Sequence, residues 1–313
     1  MASNFVICIN AVLPLFLTMM VGMFITWRGF LTQAEVSRVN RTVFKVMFPF
    51  MMFHNIYSIK DGAGAGARFI AVSVVLVLAA LALAALIVPR LTKENRDRGV
   101  IIQAIFRSNI LIMAIPVIRN IFGEEGAATA TIAVAIIIPI YNVLAVIVLE
   151  TFKGEKFELL PVLKGVVTNP LILGCIAGFV VSVLGIKLPG AVESVTSGIS
   201  SAASTMALIL LGASLDFTKL RDERGKMFIA AVGKLIVYPA LGLPVCIALG
   251  FRGIELVTLL LIMGAPTATS SFTMAESMGG NGKLAASCVV FSSLVSCFTL
   301  FLWLLLIKTM GLF

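Results

Sequence analysis

The chain has 313 residues, of which 60% are hydrophobic and 12% are charged. Soluble globular domains carry about 25% charged residues, so this composition excludes a soluble fold and identifies an integral membrane protein. The formal net charge of +9 would suggest a nucleic-acid partner in a soluble protein. In a membrane protein, however, basic residues belong first to the loops on one side of the bilayer.

Ten apolar segments of membrane-spanning length follow one another, which predicts an all-α integral membrane protein with ten transmembrane helices. The first segment lacks the basic start and the cleavage site of a signal peptide, so we expect it to be retained. The segment 197–217 is the least hydrophobic, but its small residues are typical of helix contacts in membranes. The predicted spans are 5–27, 41–59, 69–89, 99–121, 127–149, 165–186, 197–217, 227–251, 254–278 and 284–307.

The Lys and Arg residues are distributed unequally between the two sides of these spans. Fifteen fall in loops on one side and six in loops on the other. The positive-inside rule then predicts a multi-pass plasma-membrane protein with both termini outside and the loop 150–164 in the cytoplasm. Membrane lipids with anionic headgroups are the partners expected for the basic side, and no nucleic-acid partner is expected.

An internal repeat divides the chain. LIMAIP at 111–116 recurs as LIMGAP at 261–266, and Gly123 recurs as Gly279 shortly after each copy. Five spans per half is an odd number, so the second half must enter the membrane in the opposite orientation, which is the inverted-repeat plan of secondary transporters. The predicted units are a first five-helix repeat (1–152), a cytoplasmic linker (153–164) and a second, inverted five-helix repeat (165–313).

The repeated motif places Pro116 and Pro266 near the middle of the fourth and ninth spans. Proline lacks the amide hydrogen, and freed backbone groups are tolerated in lipid only where they line a cavity or find partners. We therefore predict that helices four and nine are broken crossover helices whose outgoing half-helices direct their positive N-terminal ends at an anion. Two ordinary proline kinks are the structural alternative.

Polar residues near these prolines are the candidate binding residues. Asn109 lies two helical turns before Pro116 and is expected on the same face, whereas Arg107 diverges from Asn109 by about 200° on a continuous helix. Only one of these two side chains can then point at the site, and we predict Asn109, with a hydrogen bond between helices as the alternative. Thr267 and Ser270 follow the second proline.

Four further residues have a predicted charge or coupling role. Lys45 and Lys234 lie near the cytoplasmic side of their spans, where both can snorkel to the headgroups. Arg107 is closer to mid-membrane, and no Asp or Glu occupies a span centre, so the excess of buried positive charge favours an anionic substrate. His54, the only histidine, could relay protons or could simply pack between helices.

Catalytic and metal-binding motifs are absent from the sequence. It contains no GxSxG, HExxH or Walker-type motif, so no enzymatic activity is expected. The five cysteines lie in apolar segments without metal-ligand spacing. We therefore expect neither a metal site nor a cofactor.

Four segments stand out in order along the chain: VNRTVFKVMFPFMMFHNI (39–56), SNILIMAIP (108–116), FGEEG (122–126) and TNPLILGCIAGF (168–179). Together they resemble the auxin efflux carrier family over nearly the whole chain; this family includes the plant PIN-type exporters and bacterial carriers proposed for malonate and malate. The resemblance implies a ten-helix fold with a scaffold and a transporter domain, crossing helices four and nine, and elevator-type movement.

The resemblance also implies individual site residues. Asn109 matches the family's asparagine ahead of the first crossover proline and would contact the substrate carboxylate, while Asn169 of the Asn-Pro pair is a weaker candidate. The chain departs from the plant pattern because it lacks the long central loop and has no acid in the third span. It therefore resembles a prokaryotic-type member, for which neither auxin nor proton coupling is implied.

The resulting hypothesis is a secondary carrier that exports small organic anions across the plasma membrane by elevator-type alternating access. An inside-negative potential favours exit of each negative charge by about 2.3 kcal/mol per 100 mV, so export needs no coupling ion. The alternatives are a proton- or sodium-coupled organic anion symporter and a membrane ligand sensor that does not transport. The identity of the anion and the presence of a homodimer are left open.

Overall fold

A computed structural model describes residues 2–58, 66–154, 159–214 and 223–313. In these ranges the secondary structure is helical apart from one isolated β-bridge, which confirms the all-α prediction. The helices are α1 (Ala2–Trp27), α2 (Gln33–Thr42), α3 (Phe48–Tyr57), α4 (Ala67–Leu91), α5 (Asn95–Phe106), α6 (Ile110–Thr151), α7 (Leu159–Val167), α8 (Pro170–Val183), α9 (Gly190–Ala213), α10 (Arg224–Val232), α11 (Tyr238–Ala248), α12 (Gly253–Gly264), α13 (Ser270–Met278) and α14 (Gly282–Thr309). Two π-helical turns, Val43–Met47 and Gly233–Val237, connect α2 with α3 and α10 with α11.

Several of these helices are long and apolar enough to cross a membrane. One of them is Gly190–Ala213, which supports the sequence interpretation of the weakly hydrophobic segment 197–217 as a span. Within the described residues five helical stretches meet the length and hydropathy of a span: Ala67–Leu91, Ile132–Thr151, Gly190–Ala213, Arg224–Ala248 and Gly282–Thr309. Shorter apolar helices are Leu17–Trp27, Pro170–Val183 and Gly253–Gly264.

Glycine brings two pairs of helices into backbone contact. A Cβ atom at Gly212 of α9 would lie 1.9 Å from the Met19 carbonyl oxygen of α1, and one at Gly22 of α1 would lie equally close to the Ile209 carbonyl oxygen of α9. Gly174 of α8 approaches the backbone of α3 in the same way. Small residues allow such close contact in membranes, where packing rather than hydrophobic burial holds helices together.

Two glycines redirect the chain at matching places. Gly123 has φ of 72° and ψ of −163°, and it divides α6 into two helical segments that meet at a kink. Gly279 has φ of 87° and ends α13. A positive φ carries a steric cost for residues other than glycine, and each of the two repeated glycines ends a helical segment.

Two interruptions of helical structure meet in space. Residues 107–109 separate α5 from α6, and residues 265–269 separate α12 from α13. Ser108 and Thr267 form an antiparallel β-bridge between them. The two extended segments therefore satisfy part of each other's backbone hydrogen bonding, as non-helical backbone at membrane depth requires.

The position of the first interruption corrects the sequence prediction. Pro266 lies within the second break as predicted, but Pro116 lies inside α6, seven residues after Asn109. Ser108 and Asn109 are poor helix formers because their side chains compete for backbone hydrogen bonds, and their backbone pairs with the other break instead. The motif copies at 111–116 and 261–266 consequently occupy different places: one follows its break and the other leads into its break.

Candidate functional site

A small cleft, with a cavity volume of about 80 Å³, lies beside the two breaks. Its polar lining residues include Asn55, Arg107, Ser108, Asn109, Tyr141, Asn142, Ser204, Thr269 and Ser270. Its apolar lining residues include Phe48, Met51, Met52, Ile110, Ile138, Ala207 and Ala268. None of these described lining residues is an aspartate or a glutamate, so the formal charge that faces the cleft is positive.

Arg107 supplies that positive charge from a buried position. Its side chain is 3% exposed, and its guanidinium donates to the Oδ1 atom of Asn142 and to the Oγ atom of Ser270, the latter at 2.6 Å. A third contact, of 2.7 Å, joins it to the Sδ atom of Met274. All three partners are neutral. In the part of the chain that the structure describes, no carboxylate lies within ion-pair distance of Arg107.

Arg107 and Asn109 line the same cleft, which corrects the expectation that only one of them could face it. That expectation assumed a continuous helix. Arg107 instead has φ of −93° and ψ of 122°, an extended conformation. Along extended backbone, side chains two residues apart point to the same side, so Arg107 and Asn109 can both face the cleft.

Asn109 has an unused donor. Its side chain is 7% exposed, and within the described residues its Nδ2 atom is buried without a hydrogen-bond partner. Its backbone N–H donates to the Pro266 carbonyl oxygen at 2.7 Å. Buried polar groups in folded proteins are nearly always hydrogen-bonded, so an unsatisfied amide that lines a cleft is a candidate ligand contact.

Two helices begin at the cleft. Ile110 is the first residue of α6 and Ser270 is the first residue of α13, and both line the cleft. Neither helix has a side-chain N-cap hydrogen bond. The N-terminal N–H groups and the partial positive charge of a helix end favour an anion.

The two lysines of the π-helical turns differ from each other. Lys45 is exposed, as expected for a lysine that snorkels. Lys234 was expected to snorkel as well, but that prediction is wrong because the side chain is fully buried and its ammonium group donates to the Oγ atom of Ser108. The ammonium also lies 5.1 Å from the centre of the Tyr238 ring. Lys234 thus contacts the first break through Ser108.

Thr267 stabilises the second break. Its N–H donates to the Oγ atom of Ser292 at 3.1 Å, and its hydroxyl donates to the Ala104 carbonyl oxygen at 3.0 Å. Thr267 is not among the described residues that line the cleft, and neither is Pro266. Both are placed to shape the backbone of the crossing.

Asn169 and His54 lie away from the cleft lining. The Asn169 side chain accepts a hydrogen bond from the Leu171 N–H at 3.0 Å and so caps the start of α8. The two ring nitrogens of His54 lie 3.4 Å from the hydroxyl groups of Thr196 and Ser58. These contacts fit the packing alternative for His54.

The sequence interpretation missed Asn142, which holds the Arg107 guanidinium. Tyr141 and Asn142 are adjacent polar residues inside the apolar run IAVAIIIPIYNVLAVIV at 132–148. A polar pair in such a run is a usable signal, because polar side chains inside membrane helices usually face the protein interior. In the described part of the chain, no group of three or more His, Cys, Asp or Glu residues could hold a metal ion.

Comparisons with known proteins agree with a transporter. The model of a family described as membrane transport protein matches residues 7–304. An uncharacterized transporter of Methanothermobacter thermautotrophicus is 22% identical over 296 residues, which cover 94% of this chain and 96% of that protein. An uncharacterized transporter of Methanocaldococcus jannaschii is 25% identical over 304 residues, which cover 94% of this chain and 97% of that protein.

A solved structure has a similar fold. It is a sodium proton antiporter of Methanocaldococcus jannaschii at pH 8, with a TM-score of 0.64. The alignment covers 90% of this chain and 92% of that chain at 11% sequence identity. At this identity the similarity concerns the arrangement of the helices.

Proposed function

Because the chain belongs to the membrane transport protein family, the auxin efflux carriers that its motifs resemble, we propose that it is a secondary transporter that exports small organic anions across the plasma membrane. The observation that supports this most directly is the buried Arg107 guanidinium at the cleft, whose described partners are all neutral. A buried charge without a counter-charge is costly, and a bound carboxylate would supply that counter-charge.

The groups around Arg107 suit a carboxylate. A guanidinium presents several donors in a planar fork that matches two carboxylate oxygens. The unsatisfied Nδ2 of Asn109 adds a neutral donor, and the ends of α6 and α13 add a partial positive charge. Asn142 and Ser270 hold the guanidinium in place, so that little conformational entropy is lost when an anion binds.

The coupled alternatives have less support. Ion-coupled carriers use intramembrane Asp, Glu or His residues as relays, and the described lining of this cleft contains none of these residue types. The antiporter with a similar fold exchanges sodium and protons, but a shared fold does not carry a function with it. We therefore propose transport driven by the membrane potential and by the anion gradient.

We also propose the inverted repeat, with units 1–152 and 165–313 joined by the linker 153–164, and both termini outside. The support is the pairing of two breaks, each followed by a glycine with a positive φ. For movement we propose an elevator in which α1, α3, α8 and α9, which pack on one another, form the static scaffold. The moving part would be the helices that bear the two breaks.

The decisive experiment measures thermal stabilisation of the purified protein by a panel of mono- and dicarboxylates at fixed ionic strength. We expect at least one carboxylate to raise the melting temperature, while the neutral amide of the same carbon skeleton does not. Arg107→Met should abolish the stabilisation, and Lys187→Met, which removes an exposed base, should preserve it. Equal stabilisation by acid and amide would contradict an anion site.

Reconstitution into liposomes then tests transport. The stabilising anion, loaded inside, should leave faster when the interior is made negative, and sodium or a proton gradient should not change its rate. A protein that binds the anion but never releases it across the membrane would be a sensor.

A further inference from the structure

Pro266 leaves one carbonyl of α12 without its helical partner. In an α-helix each carbonyl accepts from the N–H four residues later, and for Ile262 that position is Pro266, which has no N–H. The Ile262 carbonyl oxygen accepts instead from the hydroxyl of Ser108 at 2.5 Å and from the hydroxyl of Tyr141 at 3.1 Å. The proline of one crossover helix thus creates an acceptor for the other.

Lys234 adds a further hydrogen bond to this arrangement. Its ammonium group donates to the same Ser108 hydroxyl, so a hydrogen-bonded chain runs from Lys234 through Ser108 to Ile262. The side chain is 0% exposed. Among the described residues, no carboxylate lies within ion-pair distance of the ammonium. A buried ammonium group is costly unless it is compensated, so Lys234 needs another source of negative potential.

The ends of two helices provide that potential. α5 ends at Phe106 and α12 ends at Gly264, immediately before the residues that pair at the crossing. The ammonium contacts Ser108, two residues after the end of α5, and the same hydroxyl contacts the Ile262 carbonyl in the last turn of α12, so the partial negative charge of both C-termini lies near it. The two N-terminal ends, of α6 and α13, lie at the cleft. Helix ends of both signs of partial charge therefore meet at the crossing.

We infer that Lys234 is the resident cation of the helix crossing. Its ammonium group compensates the partial negative charge of the C-termini of α5 and α12 through Ser108 and the Ile262 carbonyl. Without this ammonium group, the crossing would require a bound monovalent cation. The π-helical turn Gly233–Val237 positions it: a Cβ atom at Gly233 would lie 2.9 Å from the Ile105 side chain, so the turn packs tightly on α5. The crossing is then assembled without sodium or potassium.

The first test uses ligand-free protein, so that its result does not depend on the proposed anion site. Lys234→Met keeps a similar length and removes the charge, and Lys45→Met makes the same change in the exposed lysine of the other π-helical turn. We expect Lys234→Met to lower the melting temperature by several degrees, Lys234→Arg to lower it less, and Lys45→Met to leave it unchanged. If the charge of Lys234 were not compensated, its replacement by a hydrophobic residue would be neutral or stabilising. A melting temperature of Lys234→Met equal to or above that of the wild type would therefore overturn the inference.

A second measurement decides the question if Lys234→Met does not fold. The melting temperature of the wild type is recorded in sodium, potassium and choline chloride at the same ionic strength. We expect the same value in all three salts, because the cation is built in. Stabilisation by sodium or potassium relative to choline would show that the crossing binds an external cation and would overturn the inference.

Discussion

The backbone N–H of Asn109 donates a 2.7 Å hydrogen bond to the carbonyl oxygen of Pro266, although the two residues belong to different broken helices. Together with the bridge between Ser108 and Thr267, this bond lets each break satisfy the other. Unsatisfied backbone groups cost several kcal/mol each in a membrane. The two breaks are therefore expected to form together, and we expect the cleft beside them only when both have formed.

Asn109→Ala tests the unused amide. If Nδ2 donates to a bound carboxylate, its loss removes a hydrogen bond to a charged group, worth about 1.5 to 3 kcal/mol, which is roughly a 10- to 150-fold weaker affinity. Folding should change little, because Nδ2 has no described protein partner. The measurement is the Kd of the anion identified by thermal stabilisation, with Lys45→Ala as a control. An unchanged Kd would remove Asn109 from the site.

Asn142→Asp tests the charge of Arg107. The new carboxylate would have nearly the same shape as the amide and would sit on the guanidinium, where it competes with the substrate. We expect anion affinity to fall at least tenfold, or about 1.4 kcal/mol, with no loss of melting temperature. Asn142→Ala, which removes the contact without adding charge, should have the smaller effect on Kd. A larger loss in Asn142→Ala than in Asn142→Asp would mean that position, rather than charge, governs binding.

Gly212→Ala and Gly198→Ala test the backbone contact between α1 and α9. Both substitutions lie in α9 and gain the same helix propensity. At Gly212 the added methyl would lie 1.9 Å from the Met19 carbonyl oxygen, whereas at Gly198 no atom lies within 4 Å. We expect Gly212→Ala to destabilise the protein by about 1 to 3 kcal/mol and Gly198→Ala to be neutral or stabilising, as measured by melting temperature. Equal effects would show that this contact is not tight in the membrane.

Lys153→Cys and Lys187→Cys test the topology. Both residues are exposed, and the charge distribution predicts that Lys153 faces the cytoplasm and Lys187 the outside. An impermeant maleimide should label Lys187→Cys in intact cells and Lys153→Cys only after permeabilisation. The described native cysteines Cys175, Cys246, Cys288 and Cys297 are buried, and the wild type gives the background. The reverse labelling pattern would invert the orientation.

The ionised form of Glu35 is expected to stabilise α2, so that stability falls at acidic pH. Hydrogen bonds from the backbone and the hydroxyl of Thr32 lower the pKa of Glu35 below its ordinary value of 4.5. A lowered folded-state pKa stabilises the protein above that ordinary value, and the contribution is lost as the pH falls through the folded-state pKa. Glu35→Gln should therefore reduce the drop in melting temperature on acidification below about pH 4.5. The same acid dependence in both proteins would contradict this assignment.

The sequence predicted the helical class of the fold and several residues of the candidate cleft, but not the contacts that these residues make. Apolar segments, Pro266 and Asn109 could be identified because hydropathy and helix breaking are local properties. Lys234 was assigned to the headgroups from its distance along the span. Its actual partner, Ser108, lies 126 residues away, and a π-helical turn changes the face on which the side chain emerges. Neither effect can be read from local sequence.

Thr267 and Asn169 illustrate a second limit. A hydroxyl or amide near a helix break has the same appearance in sequence whether it binds a ligand or caps backbone, and both residues serve the backbone here. Arg107 illustrates a third limit of prediction from sequence. The direction of its side chain depends on whether residues 107–109 are helical or extended. Pairing with the other half of the chain decides that conformation.

The glycine contact between α1 and α9 also limits how the molecule can deform. At Gly22 and at Gly212, a carbonyl group of the opposite helix occupies the space where a side chain would lie. The two helix backbones therefore interdigitate at these positions. A slide of one helical turn, about 5.4 Å, would bring Thr26 or Leu208 to such a place, where a side chain would collide with backbone. Shear along this pair is therefore blocked in both directions, and any displacement of the cleft relative to the bilayer must occur along a different helix boundary.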